Sequence, residues 1–375
     1  MNPHRLMIAT LVIAALAAST QFQRVFATDA AALPHAQVDP QVSAEIGAAA
    51  ARAGELLRVN ALSSTPKSAE PGQPAAWSEH QVATPDGLLA YTSIGQGPVL
   101  LVIPGGPGGS GYGLRSRFLP LAKDFNIILV DNIGRGRSAR LADPARYTVD
   151  RDAQDIEHLR RFLGVKTLAL YGHSYGGLVA QAYAAQYPQA VDHLILGNTL
   201  HGEQSWQAQI DGFKAWLQRH DPERWQRLLA LHEQGRLTGS APAQDLIGAA
   251  FEPLYWADRA AERPKAAASG DPRDAMNKVV YLAMLGPDPE WRVGGTLQGT
   301  ELLPRLKSVT APTLLLTGRF DPVAPPSVMN EMQRALPRGT PSTALVFEHS
   351  GHRPFVEEAE LWAQAVAEFL TRGVN

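Results

Sequence analysis

From about residue 77 onward, short apolar runs alternate with segments whose apolar positions recur every three or four residues. The runs are Pro98 to Ile103, Asn126 to Val130, Thr167 to Tyr171, His193 to Leu196, Pro312 to Thr317 and Thr343 to Phe347. Short continuous apolar runs suit strands buried on both faces, and the helical segments between them supply the covers. The pattern therefore predicts an α/β fold, a mostly parallel sheet flanked by helices. One helix is legible in detail: Ile156, Leu159, Phe162 and Leu163 share a face between Asp150 and Leu163, and Gly164 stands where a helix would stop.

Residues 201–300 break the rhythm. They carry Trp206, Trp216, Trp225, Trp256 and Trp291, five of the seven tryptophans, and helical segments but no comparable strand run. This predicts an inserted helical lid whose aromatics pack it onto the core. No fixed-period repeat is present, which excludes a solenoid or propeller reading.

The N-terminus has a short polar start, Asn2 to Arg5, and an apolar run from Leu6 to Ala18. That run is too short to span about 30 Å of hydrocarbon but fits a signal peptide, with a small residue at Ala27 as the cleavage point. The stretch to about residue 76 is rich in Ala, Pro and Gln and ends in a Pro/Gly-rich linker. The expected organisation is a signal peptide (1–27), an extension and linker (28–76), a core (77–200 and 301–375) and the lid (201–300). An exported, periplasmic or secreted protein without stable membrane insertion after cleavage follows from this reading.

Composition adds exclusions. A net charge of -2 and the lack of long like-charge runs leave no footprint for nucleic acid. With no cysteine, disulfides and a thiol nucleophile are impossible. The histidines are scattered, so neither a metal nor a cofactor is expected. Oligomeric state is not encoded in any of these features.

The chemistry centres on Gly172-His173-Ser174-Tyr175-Gly176-Gly177, set between the apolar run ending at Tyr171 and a helical segment from Leu178. A serine hydroxyl is a weak nucleophile unless a base takes its proton and a sharp strand-to-helix turn exposes it. The flanking glycines allow strand and helix to approach closely. Ser174 is therefore the expected nucleophile. Asp321 directly follows the strongest later strand and suits the orienting acid. His349 and His352 compete for the base, with His352 favoured because it follows a glycine on a loop beyond the last strand; His173 reads as structural. The loop Pro104-Gly105-Gly106-Pro107-Gly108-Gly109 follows a strand but lacks the Lys-Ser/Thr ending of a phosphate-binding loop. It suits an oxyanion site, with the backbone N–H groups of Gly106 and Tyr175 as donors.

Together these segments, with Asp131-Asn132-Ile133-Gly134-Arg135-Gly136-Arg137-Ser138, Gly294-Gly295-Thr296-Leu297, Gly318-Arg319-Phe320-Asp321-Pro322 and Ser350-Gly351-His352, resemble the proline iminopeptidase family of serine peptidases. The resemblance runs from about residue 77 to 373. It implies an α/β-hydrolase fold and release of an N-terminal residue, often proline, from short peptides or aminoacyl amides. Family members have His where this chain has Pro104. They hold the substrate amine with two glutamates, one in the lid and one directly after the catalytic aspartate. Glu290 matches the first and is the expected substrate-binding residue, whereas Pro322 occupies the second position. Two other readings stay open: a carboxylesterase or amidase on small neutral substrates, and a catalytically silent binding protein of the same fold.

Overall fold

A computed structural model describes residues 76–260 and 270–371. The expected signal peptide and nearly all of the expected extension lie outside the described residues. Within them an eight-stranded sheet forms from β1 (Ser78–Thr84), β2 (Gly87–Ile94), β3 (Val99–Ile103), β4 (Asn126–Asp131), β5 (Leu168–His173), β6 (Val191–Gly197), β7 (Thr313–Gly318) and β8 (Ser342–Phe347). The order is β1-β2-β4-β3-β5-β6-β7-β8. Strands β3 to β8 are parallel, and β1 and β2 join antiparallel at the β4 edge. Every apolar run of the sequence lies on one of the six parallel strands.

The antiparallel pair β1–β2 was not among the runs. Its first strand, Ser-Glu-His-Gln-Val-Ala-Thr, is mostly polar and buries only Val82. An edge strand packs on one face and needs no continuous apolar run.

The central strands alternate between two cores. Leu101, Ile103, Ile128, Val130, Leu170 and Leu196 face one cluster, while Leu100, Val102, Ile127, Leu129, Tyr171 and Ile195 face the other. Successive side chains point to opposite faces of a strand, so burying both faces requires apolar residues at every position. The first face is covered by α1 (Val149–Leu163) and α2 (Tyr175–Gln186), through residues such as Ile156, Leu159, Leu178 and Val179. Helix α1 starts on the Thr148 side chain, which accepts from Arg151 N, and stops at Gly164 in the left-handed conformation (φ 69°), as the sequence pattern indicates.

Between β6 and β7 run the helices α3 (Glu203–His220), α4 (Pro222–Glu233), α5 (Ala241–Phe251) and α6 (Lys278–Leu285). Trp206 is buried in the first cluster, and Trp225 stacks on Trp291 with ring centroids 5.4 Å apart. After β7 come α7 (Pro326–Ala335) and, at the end of the described chain, α8 (Ala359–Thr371). No helix among the described residues is long and apolar enough to cross a membrane.

Helix α8 covers the second face. Its Trp362, 1% exposed, meets Phe118 and Tyr171 edge-on at 5.0 and 5.8 Å and donates its indole N–H to the Tyr171 hydroxyl at 3.3 Å. Trp362→Ala removes that contact and leaves a cavity, so it is expected to lower unfolding free energy by about 3–5 kcal/mol. Urea titration measures this, and a loss below about 1 kcal/mol would contradict the packing account.

Candidate active site

Strand β5 ends at His173 and α2 begins at Tyr175, leaving Ser174 alone at the turn with φ 53° and ψ −123°. A non-glycine residue is held there only by its surroundings. Ser174 N donates to Gly197 O (3.0 Å), while Ser174 O accepts from Thr199 Oγ1 (2.6 Å) and Gly177 N (2.9 Å). The glycines make the approach possible. A Cβ on Gly176 would lie 2.2 Å from Ile103 O at the end of β3, and one on Gly172 would lie 2.4 Å from Gly176 O. Of residues 171–180, Ser174 is the one not buried.

Asp321 follows β7 and His352 follows β8. His352 Nδ1 lies 3.0 Å from both carboxylate oxygens of Asp321. A carboxylate only accepts, so Nδ1 carries the proton and Nε2 remains the acceptor. Asp321 Oδ1 also accepts from Val323 N (2.8 Å) and Ala324 N (3.1 Å), and Oδ2 accepts from Asn198 Nδ2 (2.9 Å). Burial pushes the Asp321 carboxyl up, but His352, Asn198 and the Val323 amide together hold it below the ordinary aspartate range. The two loops meet tightly, since a Cβ on Gly318 would lie 2.1 Å from Gly351 O. His352 N donates to Tyr255 O (2.8 Å), which ties the loop to the helical insertion.

His349 is exposed and its backbone N–H bonds Glu358, so the two competing histidines are distinguished by geometry. No hydrogen bond joins Ser174 to His352 among the described residues. Such a bond commonly tightens only around substrate. The two are linked through His173, whose ring lies 5.0 Å from that of His352 and 4.9 Å from Phe355. Burial, and then the neighbouring His352, hold His173 well below the ordinary histidine range, so it is a neutral packing residue.

The Gly-rich loop lies against the serine: a Cβ on Gly105 would be 2.9 Å from Ser174 Cβ. Gly106 turns with φ 66°, and Tyr175 is the first residue of α2, where an N–H has no acceptor within the helix. These two amides therefore stand on the two segments that flank Ser174. The side chain of Met276, half exposed, covers Gly106 from the insertion.

Glu290 is half-buried. Tyr281 Oη donates to its Oε1 at 2.5 Å, and its backbone N–H bonds Thr238 Oγ1 at 3.0 Å. Burial raises its carboxyl above the ordinary glutamate range, with Tyr281 offsetting only part of this. Among the described residues no cation is paired with it. The Tyr255 phenol is raised by burial first and then by Glu290. Pro322 lines a cavity of about 270 Å³ with His201, Gln209 and Glu331.

Asn198 is the neighbour of the Asp321–His352 pair that sequence reasoning missed. Its signal was a polar residue directly after the β6 run, in Gly197-Asn198-Thr199, with φ 51°. Because the folded-state Asp321 carboxyl sits below its ordinary value, its ionised form stabilises the fold above that ordinary value. This contribution is lost as pH falls through the depressed value. Asn198→Gly keeps the backbone conformation but removes the donor, and should lower stability by about 1.5–3 kcal/mol near neutral pH. The deficit should shrink in acid, as urea midpoints measured from neutral pH downward would show; a deficit that stays constant would contradict the role.

The family model described as alpha/beta hydrolase fold matches residues 98–359. The chain is 29% identical over 284 residues to a proline iminopeptidase of Heyndrickxia coagulans, covering 74% of this chain and 91% of the relative. A proline iminopeptidase of Saccharolobus solfataricus is 27% identical over 285 residues, covering 75% and 87%. Among solved structures, a proline iminopeptidase of Mycobacterium smegmatis superposes with a TM-score of 0.65 at 22% identity, covering 79% of this chain and 98% of that one. VinJ superposes with a TM-score of 0.68 at 24% identity, covering 79% and 99%. At these identities the structural likeness speaks for the fold.

Proposed function

The chain belongs to the α/β-hydrolase family, and we propose that it is a serine aminopeptidase of proline iminopeptidase type, acting on short peptides or aminoacyl amides through Ser174, His352 and Asp321. The observation that carries this reading is the strained Ser174 turn at the strand ends where the Asp321–His352 pair also sits. In this mechanism His352 Nε2 takes the Ser174 proton as Oγ attacks the scissile carbonyl, and Asp321 stabilises the imidazolium without accepting its proton. The N–H groups of Gly106 and Tyr175 receive the oxyanion, and loss of one such donor would cost about 3–4 kcal/mol of transition-state stabilisation. His352 then protonates the leaving amine. Water, activated by the same histidine, releases the acyl group from Ser174.

The helices between β6 and β7 act as a lid, and Glu290, in the same insertion, supplies a carboxylate for the substrate's ammonium. Supporting this, Glu290 is raised by burial and has no cationic partner among the described residues. A second reading, hydrolysis of small neutral esters or amides, is favoured by Pro322, which leaves the amine with one glutamate where the resembling family uses two. Export rests on the apolar run Leu6 to Ala18 and the small residue at Ala27.

Glu290→Gln should raise KM for prolyl and alanyl arylamides by about tenfold or more, the value of one charge-assisted contact, and leave short aryl esters within about twofold. Because burial raises the Glu290 carboxyl, it loses its charge on acidification earlier than an ordinary glutamate. The ratio of kcat/KM for arylamide to that for ester should therefore fall with pH in the wild type and stay flat in the variant. The catalytic base is the same in both reactions, so its contribution cancels from the ratio. Equal effects of Glu290→Gln on both substrates would overturn the amine assignment and favour the second reading.

A further inference from the structure

Arg135 is 2% exposed and sits beneath both segments assigned to the oxyanion site. Its Nε donates to Pro107 O at 2.5 Å, one residue after Gly106, and its Nη1 to Ile133 O at 2.8 Å. Nη1 and Nη2 hold Asp152 bidentately at 2.8 and 2.7 Å. Asp152, fully buried on α1, accepts the Tyr175 hydroxyl at 2.6 Å, and Arg135 Nη2 lies 3.5 Å from that same oxygen. The guanidinium thus touches the Gly-rich loop directly and the residue after the nucleophile both directly and through Asp152.

These contacts have no evident use as packing alone. Burying a charged pair costs solvation that an apolar pair of similar volume would not, so the arrangement is poor evidence of a stability device. A planar fork can bond a backbone carbonyl and a carboxylate at fixed relative positions, which a single ammonium cannot do. Oxyanion stabilisation depends on donors held within a few tenths of an ångström before the reaction begins.

We propose that Arg135, with Asp152, is a positioning residue that sets the spacing of the Gly106 and Tyr175 amides by bridging the loop that carries one to the side chain of the residue that carries the other. This rests on the serine-hydrolase reading of Ser174, though not on the aminopeptidase assignment. The bridge acts on the oxyanion and so on kcat; it touches no substrate group and leaves KM alone.

The test uses the wild-type chain and the variants Arg135→Lys, Tyr175→Phe and their combination. Lysine can still pair with Asp152 but cannot also span to Pro107 O, so the core keeps its counter-charge. Rates on a short aryl ester are expressed per serine titrated to completion with a fluorophosphonate, which removes any misfolded fraction. Arg135→Lys should lower kcat about 30-fold, less than outright loss of a donor, with KM within about twofold and binding of a trifluoromethyl ketone weakened by the same factor as kcat. Tyr175→Phe keeps the peptide N–H and should lower kcat by a few-fold, and the double variant should fall no lower than Arg135→Lys, because both act through one network. Arg135→Lys with kcat per titrated serine within about threefold of wild type would overturn the proposal. So would unchanged trifluoromethyl ketone binding, or multiplicative losses in the double variant. A wild type that neither labels nor turns over ester would overturn the serine-hydrolase reading itself and this inference with it, a different outcome from an active wild type with an unchanged variant.

Discussion

The close approach of β3, β5 and α2 around Ser174 is the constraint on which the site depends. Strand and helix can meet at this turn only because Gly172 and Gly176 lack side chains, and Gly105 lets the neighbouring loop rest on Ser174 Cβ. The cost is a serine at φ 53°, outside the usual regions for such a residue. That cost is met by bonds from Gly197, Thr199 and Gly177 to the Ser174 backbone, and by two apolar cores that fix the strands on either face. A hydroxyl so placed lies at the strand ends, where the β7 and β8 loops also arrive.

Around that turn the polar groups are arranged in two buried charged sets. On one side Asp321 holds His352, and Asn198 with two backbone amides satisfies the rest of the carboxylate. On the other Arg135 and Asp152 lock the Gly-rich loop to α1 and to Tyr175. Neither set is an economical way to stabilise a fold, since desolvation opposes both. Both hold groups at fixed positions beside the Ser174 turn, as the proposed acyl transfer requires. Glu290 differs: it is a half-buried carboxylate of the insertion, paired with a tyrosine hydroxyl and with no cation among the described residues.

Much of this was readable in the chain, for a physical reason. Strands buried on both faces must be apolar at nearly every position, so the inner strands β3 to β7 announced themselves; β1, an edge strand that buries only Val82, did not, and β2 was missed although it is buried from Leu89 to Thr92. Ser174, Asp321 and His352 were singled out from local sequence, Ser174 directly after β5 and the other two on the short loops that follow β7 and β8. His352 is buried and His349 exposed. Asn198 and the Arg135–Asp152–Tyr175 network were not legible, because their partners lie 17 to 123 positions away and depend on packing. Glu290 entered through resemblance alone; its half-burial and its tyrosine partner come only from the folded chain.

The account stands or falls on Ser174 as the nucleophile. The most direct measurement is the intact mass of the protein after reaction with an alkyl fluorophosphonate, followed by peptide mapping. A single phosphonyl adduct on Ser174, absent from Ser174→Ala and from heat-unfolded protein, is the predicted result. An unmodified wild type, or an adduct that persists in Ser174→Ala, would contradict it.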